Sequence, residues 1–269
     1  MAHPLISRLT LTMAGIGLWA GAAWIGEPAA GQLTAWGANL SRPTTLPFLW
    51  RGIDEAARTG NAAEELAKAR LLIRAIPSWV DGYLVFSYRF AMDGGELVQD
   101  PQQALEASLE RLQIALALLA EGREDCPDRA AEILGSMAFL IDMMVQNHPG
   151  LGELLQERTG RSPDAAADEL LAQAEQLENA TGGQSARLQR MFLVPRLCAA
   201  LLRANSPNQA IQLLDTAISR CRDLADQEFR DEWQSLLMEL RRCILDDPAA
   251  QPAVLLADPR FSSLTPFLK

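Results

Sequence analysis

Residues Pro77–Met92 read PSWVDGYLVFSYRFAM, and the fold prediction rests on this stretch. Five aromatic residues fall within its positions 79–90, including both tyrosines of the chain. Four of them are spaced 4, 3 and 4 residues apart, which on a helix places them on one stripe: Trp79, Tyr83, Phe86 and Phe90. Because aromatic side chains bury large apolar surfaces, we expect this helix in the middle of a core, with other helices packed around it.

The composition of the 269-residue chain favours an all-α fold. Ala and Leu are plentiful and β-branched residues are few, which favours helix over sheet. The formal net charge of −10 and the lack of a Lys/Arg cluster argue against nucleic acid as a partner. The cysteines share no CxxC spacing and the two histidines lie far apart, so the sequence predicts neither a metal site nor another cofactor.

An uncharged run from Leu9 to Gly26 is the main feature of the N-terminus. About 20 apolar residues cross a bilayer, so residues 5–25 are predicted to form one transmembrane helix. Arg8 precedes the run, which places the N-terminus in the cytoplasm and the rest outside it, at a plasma or bacterial inner membrane. A cleaved signal peptide is the competing interpretation. Gly17 and Gly21 form a GxxxG pattern through which the helix can pack against another membrane helix.

A 34-residue period follows the linker of residues 28–46. Gly60 and Gly94 are 34 residues apart, and so are Leu49 and Tyr83. This is the period of the tetratricopeptide repeat, whose first helix carries W-x2-L-G-x2-Y. The chain resembles that family at three places: Tyr83-x2-Phe86-Ser87-x2-Phe90, Ala131-x2-Leu134-Gly135-x2-Ala138 and Val194-x2-Leu197-Cys198-x2-Leu201.

The resemblance implies an α-solenoid of antiparallel helical hairpins over residues 47–247. Small residues at Ser87, Gly135 and Cys198 imply that the helices of each hairpin cross closely there. A stack of plain helical hairpins is the alternative. Residues 248–269 are predicted to form a tail packed on the domain. If the domain lies outside the cytoplasm, a disulfide between Cys198 and Cys243 is compatible with the predicted helix positions.

No catalytic motif is present in the sequence, so the function is expected to be binding rather than catalysis. GxxxxGK[ST], GxGxxG, GxSxG and HExxH are all absent. By resemblance to tetratricopeptide stacks, the first helices of the hairpins line a groove for a peptide or a partner helix. The residues expected to face it are Trp50, Asp54, Asp81, Leu84, Tyr88, Arg129, Glu132 and Ser136. Ordinary helix surface is the alternative for each of them.

The sequence therefore predicts a membrane-anchored scaffold or assembly factor that binds other proteins at the extracytoplasmic face. An integral subunit of a larger membrane complex, packed through its transmembrane helix, is the second hypothesis. A small-ligand carrier or an enzyme with an interhelical pocket is the third.

Overall fold

The computed structural model describes residues 47–76, 79–92, 100–180, 182–247 and 261, and every regular element in these ranges is helical. The all-α prediction is confirmed. The helices are α1 (47–58), α2 (Ala62–Arg74), α3 (Val80–Met92), α4 (Pro101–Asp125), α5 (Ala130–Asn147), α6 (Leu151–Thr159), α7 (Pro163–Asn179), α8 (Ser185–Arg203), α9 (Pro207–Cys221) and α10 (Gln227–Asp246), with a 3-10 turn at Pro127–Arg129 before α5.

Proline and capping residues set several helix boundaries. The Ser162 hydroxyl accepts a hydrogen bond from the Ala165 N–H at 3.3 Å, and Pro163 occupies the first turn of α7. A serine cap followed by proline is a common way for a helix to begin, because a proline in the first turn loses no helical hydrogen bond. Pro195 lies inside α8, which already begins at Ser185.

One short helix, α6, was not predicted from the sequence. Gly150 and Gly160 bracket the helix with φ values of 92° and 73°, which glycine adopts without strain. Leu151, Leu154 and Leu155 are buried at helical spacing. Those three leucines between two glycines are the pattern that predicts α6.

The chain divides into two compact units, Met1–Pro77 and Ser78–Lys269. The described part of the first unit is the hairpin of α1 and α2, which turns at Gly60 with φ 68°. Asn61 caps α2 by accepting from the Glu64 N–H, and Lys68 Nζ donates to the Gly52 carbonyl at 3.2 Å. The predicted domain 47–247 spans parts of both units, and its unity stays a prediction.

Sequential packing organises the second unit. α3 packs on α4, α4 on α5, α5 on α7, α7 on α8, α8 on α9 and α9 on α10. α3 also contacts α5, and α5 contacts α8, while the short α6 lies against α4, α5 and α7. Packing between neighbours in this order is compatible with helical repeats.

Three of the four residues of the predicted aromatic stripe are buried. Tyr83, Phe86 and Phe90 each expose 4% or less of their surface, and the half-buried Trp79 contacts Phe86 edge to face. The Tyr83 ring lies directly on α4: a Cβ added at Gly122 would sit 2.6 Å from Tyr83 Cγ. The Tyr83 hydroxyl donates to the Asp125 carboxylate. Burial, with the hydrogen bond and charge of Asp125 adding to it, raises the pKa of Tyr83 well above its usual value.

The resemblance explains the glycine at position 135 by a close crossing of the two helices of a hairpin, and this explanation is wrong. A Cβ added there would meet only the side chain of Gln189 on α8, at 3.5 Å, which is an ordinary contact. No close crossing with the hairpin partner therefore requires glycine at this place. Ser87 and Cys198, the corresponding residues of the other copies, are both buried.

No disulfide joins Cys198 and Cys243 in this structure, so the pairing that the sequence left open is not formed. Cys126, Cys198 and Cys221 are buried, and Cys243 is half-buried. Burial raises the pKa of Cys198 to about 12 and that of Cys221 to about 11. Thiols protonated to this extent are unreactive and act as small apolar side chains.

Phe261 is the one described residue of the C-terminal tail. It is fully buried, in a hydrophobic cluster formed with residues of α8, α9 and α10. The remainder of the tail, the linker and residues 5–25 with Gly17 and Gly21 lie outside the described residues. Within the described ranges, no helix has the length and apolar character needed to cross a membrane.

We expect Gly122→Ala to lower the free energy of unfolding by about 1–3 kcal/mol, because the added methyl group overlaps the Tyr83 ring. Gly135→Ala is the matched control, since the added methyl group makes only an ordinary contact with the Gln189 side chain. It should be neutral or add about 0.5–1 kcal/mol through helix propensity. Urea unfolding of both variants, followed by circular dichroism, measures the difference. Equal effects would show that the Tyr83–Gly122 contact does not constrain the packing of α3 on α4.

Candidate functional site

Two adjoining clefts lie along α3, α5 and α8, and together they are called the groove here. The first has a volume of about 300 Å³ and the second about 380 Å³. Phe139 and Gln189 line both clefts. The first cleft also contains Tyr88, Glu132, Gly135, Ser136 and Glu178; the second contains Asp142, Gln146, Phe192 and Arg196 above Ala138, Ala167, Leu171 and Leu193.

Helical periodicity places these side chains on one face of each helix. The most regularly spaced groove residues fall at 132, 136, 139, 142 and 146 on α5 and at 185, 189, 192 and 196 on α8. Steps of three and four residues follow one face of an α-helix. The groove is therefore formed mainly by one face of α5 and one face of α8, with Tyr88 contributed by α3 and Ala167, Leu171 and Glu178 by α7.

Phe139 projects from the middle of the groove. Its exposed fraction of 56% is high for a phenylalanine, and its ring lies 6.0 Å from that of Tyr88. The Tyr88 hydroxyl donates to the Ser136 carbonyl oxygen at 3.1 Å, which ties α3 to α5 beside Phe139. An exposed aromatic ring held by a fixed neighbour can contact a ligand with little loss of conformational freedom.

Arg196 is held between two carboxylates in the second cleft. It contacts Asp142 on α5, and its second terminal nitrogen lies 2.5 Å from Asp164 Oδ1 on α7. Burial and the nearby charge of Asp142 raise the pKa of Asp164, although Arg196 opposes them. The charge of Arg196 is therefore neutralised within the protein.

The opposite face of α8 forms a buried ion network with α7. Glu175 accepts from Arg187 Nε at 2.9 Å and from a terminal nitrogen of Arg190 at 2.8 Å. Arg190 also forms two hydrogen bonds with Asp168, at 2.8 and 3.1 Å. Burial alone would raise the pKa of Glu175, but the arginines outweigh it and hold that pKa below its usual value. Both arginines thus contact α7, and the side of α8 that lines the groove carries neither of them.

The structure brings three of the predicted groove residues together in the first cleft: Tyr88, Glu132 and Ser136. Arg129 is exposed and forms an ion pair with Glu132. Asp81 is exposed and Leu84 is half-buried on α3, and neither lines the two clefts. Trp50 and Asp54 belong to α1, in the first unit. A binding role for any of these residues stays a prediction.

Sequence reasoning missed most of the groove on α8 and the second half of α5. Phe139 continues the spacing from Glu132 and Ser136, so extending that register identifies it. The face of α8 was missed because the repeat pattern there starts at Val194, whereas Gln189 and Phe192 precede it. Among the residues that the structure describes, no three His, Cys, Asp or Glu side chains are grouped in a way that would hold a metal ion.

Comparisons of the chain with protein-family models, with curated proteins and with solved structures found no match.

We expect Glu175→Gln to lower the free energy of unfolding by about 1–2 kcal/mol near neutral pH, because two arginines lose their buried counter-charge. The native pKa of Glu175 is lowered. Its contribution is therefore complete above the usual glutamate value of about 4.3 and is lost as the pH falls through the lower native value. The stabilities of wild type and variant in urea unfolding should converge as the pH falls below that usual value.

Glu169→Gln is the control for this measurement, since Glu169 pairs with Arg161 at the surface, where both side chains are more than half exposed. It should change the stability by less than about 0.5 kcal/mol. A Glu175→Gln effect that is small, or independent of pH, would contradict a stabilising role of the charge.

Arg196→Met should cost about 1–3 kcal/mol near neutral pH, because it leaves Asp142 and Asp164 together without a cation in a partly buried site. The pKa of Asp164 is already raised, so the native state binds more protons than the unfolded chain. The folded state therefore loses stability as the pH rises through the range in which Asp164 titrates. Acidification should restore stability to the variant, because protonation removes the unpaired charge. Arg196→Lys, which keeps the charge, should lose less at every pH. A variant that loses further stability on acidification would refute this account.

Proposed function

We propose that the chain is a scaffold or assembly factor that binds a segment of a partner protein in the groove. The observation that carries this proposal is Phe139, a large apolar side chain 56% exposed between two clefts. Exposed apolar surface in a concave site with polar groups around it is typical of a recognition surface. The volumes of the clefts, about 300 and 380 Å³, suit a few side chains of a bound segment.

The helical packing supports a repeat-type binding mode. The groove is lined mainly by α3, α5 and α8, with Ala167, Leu171 and Glu178 added by α7. α3 contacts α5, and α5 contacts α8. In tetratricopeptide-like stacks the first helices of the hairpins form the binding surface, and α3, α5 and α8 correspond to those first helices. We therefore include a tetratricopeptide-like solenoid in the proposal.

The membrane part of the proposal rests on the sequence of residues 5–25. An anchor there would hold the groove at the extracytoplasmic face of a plasma or bacterial inner membrane. Tethering raises the effective concentration of the groove near membrane partners, so a modest intrinsic affinity suffices.

Panning a random peptide display library against the full-length chain, kept in a mild detergent, tests the binding function. Peptides that bind wild type should lose at least about tenfold in affinity on Phe139→Glu, because the charge removes the central apolar contact. Fluorescence anisotropy with the selected peptides gives the dissociation constants.

Met238→Glu is the matched control for that experiment. Met238 on α10 is 53% exposed, close to the 56% of Phe139, and it lines neither cleft. The selected peptides should bind this variant as they bind wild type. Peptides that bind all three proteins equally, or no selected peptide at all, would contradict binding in the groove.

A further inference from the structure

The ionised side chains that line the groove are mainly acidic. Three carboxylates face the two clefts, from Glu132, Glu178 and Asp142, against one guanidinium, from Arg196. Arg196 is already paired with Asp142 and with Asp164 behind it. Arg129 pairs with Glu132, and Glu178 accepts a hydrogen bond from the Ala186 N–H at 2.9 Å. The three carboxylates that line the clefts still outnumber the two guanidinium groups beside them, so the local charge is net negative, as is the formal charge of −10 of the whole chain.

The other arginines of the central part of α8 do not compensate for this charge. Arg187 and Arg190 point to α7, where Glu175 and Asp168 accept their hydrogen bonds. Their side chains are only 16% and 17% exposed. These cations are therefore committed to the ion network, in which Glu175 and Asp168 balance their charge.

The second cleft supplies an apolar receptacle next to the carboxylates. Its floor consists of small or aliphatic side chains: Ala138, Ala167, Leu171 and Leu193. Phe139 and Phe192 form its sides. Phe192 in turn packs on Phe229 and Trp233 of α10, with ring centroids 5.7 and 5.4 Å away, so this wall is rigid.

Two further groups suit a peptide main chain. Gln189 lines both clefts, and its amide carries both donors and an acceptor. Gly135 forms part of the first cleft, and the nearest side-chain atom to a Cβ added there is 3.5 Å away. The absence of a side chain at Gly135 leaves room for a bound chain to approach α5.

We infer that the segment bound in the groove is basic, with a large apolar side chain that enters the second cleft and Lys or Arg residues beside it that contact Glu132 and Asp142. This inference rests on the proposed function and names the chemistry of the partner. Charge complementarity of this kind speeds association and excludes acidic competitors.

Two synthetic peptides with identical Leu and Phe residues, one with Lys and the other with Glu at every charged position, test the inference on the full-length chain. We expect the Lys peptide to bind at least about tenfold more tightly than the Glu peptide at low salt. The preference should shrink when the salt concentration is raised, because exposed charges are screened. Phe139→Glu would add a charge that attracts the Lys peptide, so Phe139→Ala is used to test the apolar contact. Phe139→Ala should weaken the binding of both peptides.

A charge reversal identifies the carboxylate involved. Glu132→Lys should weaken the Lys peptide about fivefold and strengthen the Glu peptide, because the groove charge at this place changes sign. Glu110→Lys is the matched control: Glu110 is exposed on α4, lines neither cleft of the groove, and the substitution changes the net charge equally. It should leave both affinities within about twofold of wild type.

The outcomes separate this inference from the proposed function. If both peptides bind equally, or the Glu peptide binds better, and Phe139→Ala weakens them, the groove binds peptides but the inference is overturned. If Phe139→Ala changes neither affinity, both proposals fail. If sedimentation shows a dimer of the chain that Phe139→Glu dissociates and Met238→Glu does not, a second copy occupies the groove and the inference is overturned.

Discussion

The rotation of α8 about its own axis is the constraint on which the groove depends. Arg187 and Arg190 lie on one side of this helix, and a partly buried guanidinium without a counter-charge is costly. Glu175 and Asp168 on α7 accept their hydrogen bonds at 2.8–3.1 Å. Turning α8 by even one residue step of about 100° would remove both arginines from their partners. The ion network therefore selects the face of α8 that is left for the groove.

That selection explains why the groove is both apolar and acidic. With its central arginines facing α7, α8 presents Gln189, Phe192 and Arg196 on the remaining face. Arg196 meets Asp142 of α5 and Asp164 of α7, so it joins the three helices rather than offering a free cation. The same charges that stabilise the helix packing thus leave the carboxylates of the groove without an equal number of cations. One arrangement of arginines thus determines both the packing of α8 and the charge of the groove.

The sequence was sufficient for features that depend on spacing along one helix. Three of the four residues of the aromatic stripe are buried, Ser162 caps α7, and Tyr88, Glu132 and Ser136 reach one cleft. The sequence was insufficient where a feature depends on contacts between helices. Arg190 and Asp168 are 22 residues apart, and Arg196 and Asp142 are 54 apart.

Such pairs cannot be read from periodicity, because they require the relative rotation and height of two helices, which only the packed core determines. Gly122 shows the same limit. Nothing in the local sequence of α4 distinguishes it from a destabilising helix glycine, yet the Tyr83 ring occupies the place of its missing side chain. The repeat pattern drew attention to Gly135, but it explained this glycine by a close crossing of two helices. In the structure Gly135 borders the groove instead.

Like the helices before it, α10 must bury an apolar face. α10 packs on α9 through Trp233, Leu237, Leu240 and Ile244, all buried. A series of stacked helices leaves the far side of its last element exposed unless something covers it, and repeat proteins use a terminal cap for this purpose. Phe261 is fully buried in the same cluster as these four residues. Phe261, which follows α10 in the chain, thus contributes to this part of the core. Through Phe192, which packs on the same cluster, this end of the core also supports the wall of the groove.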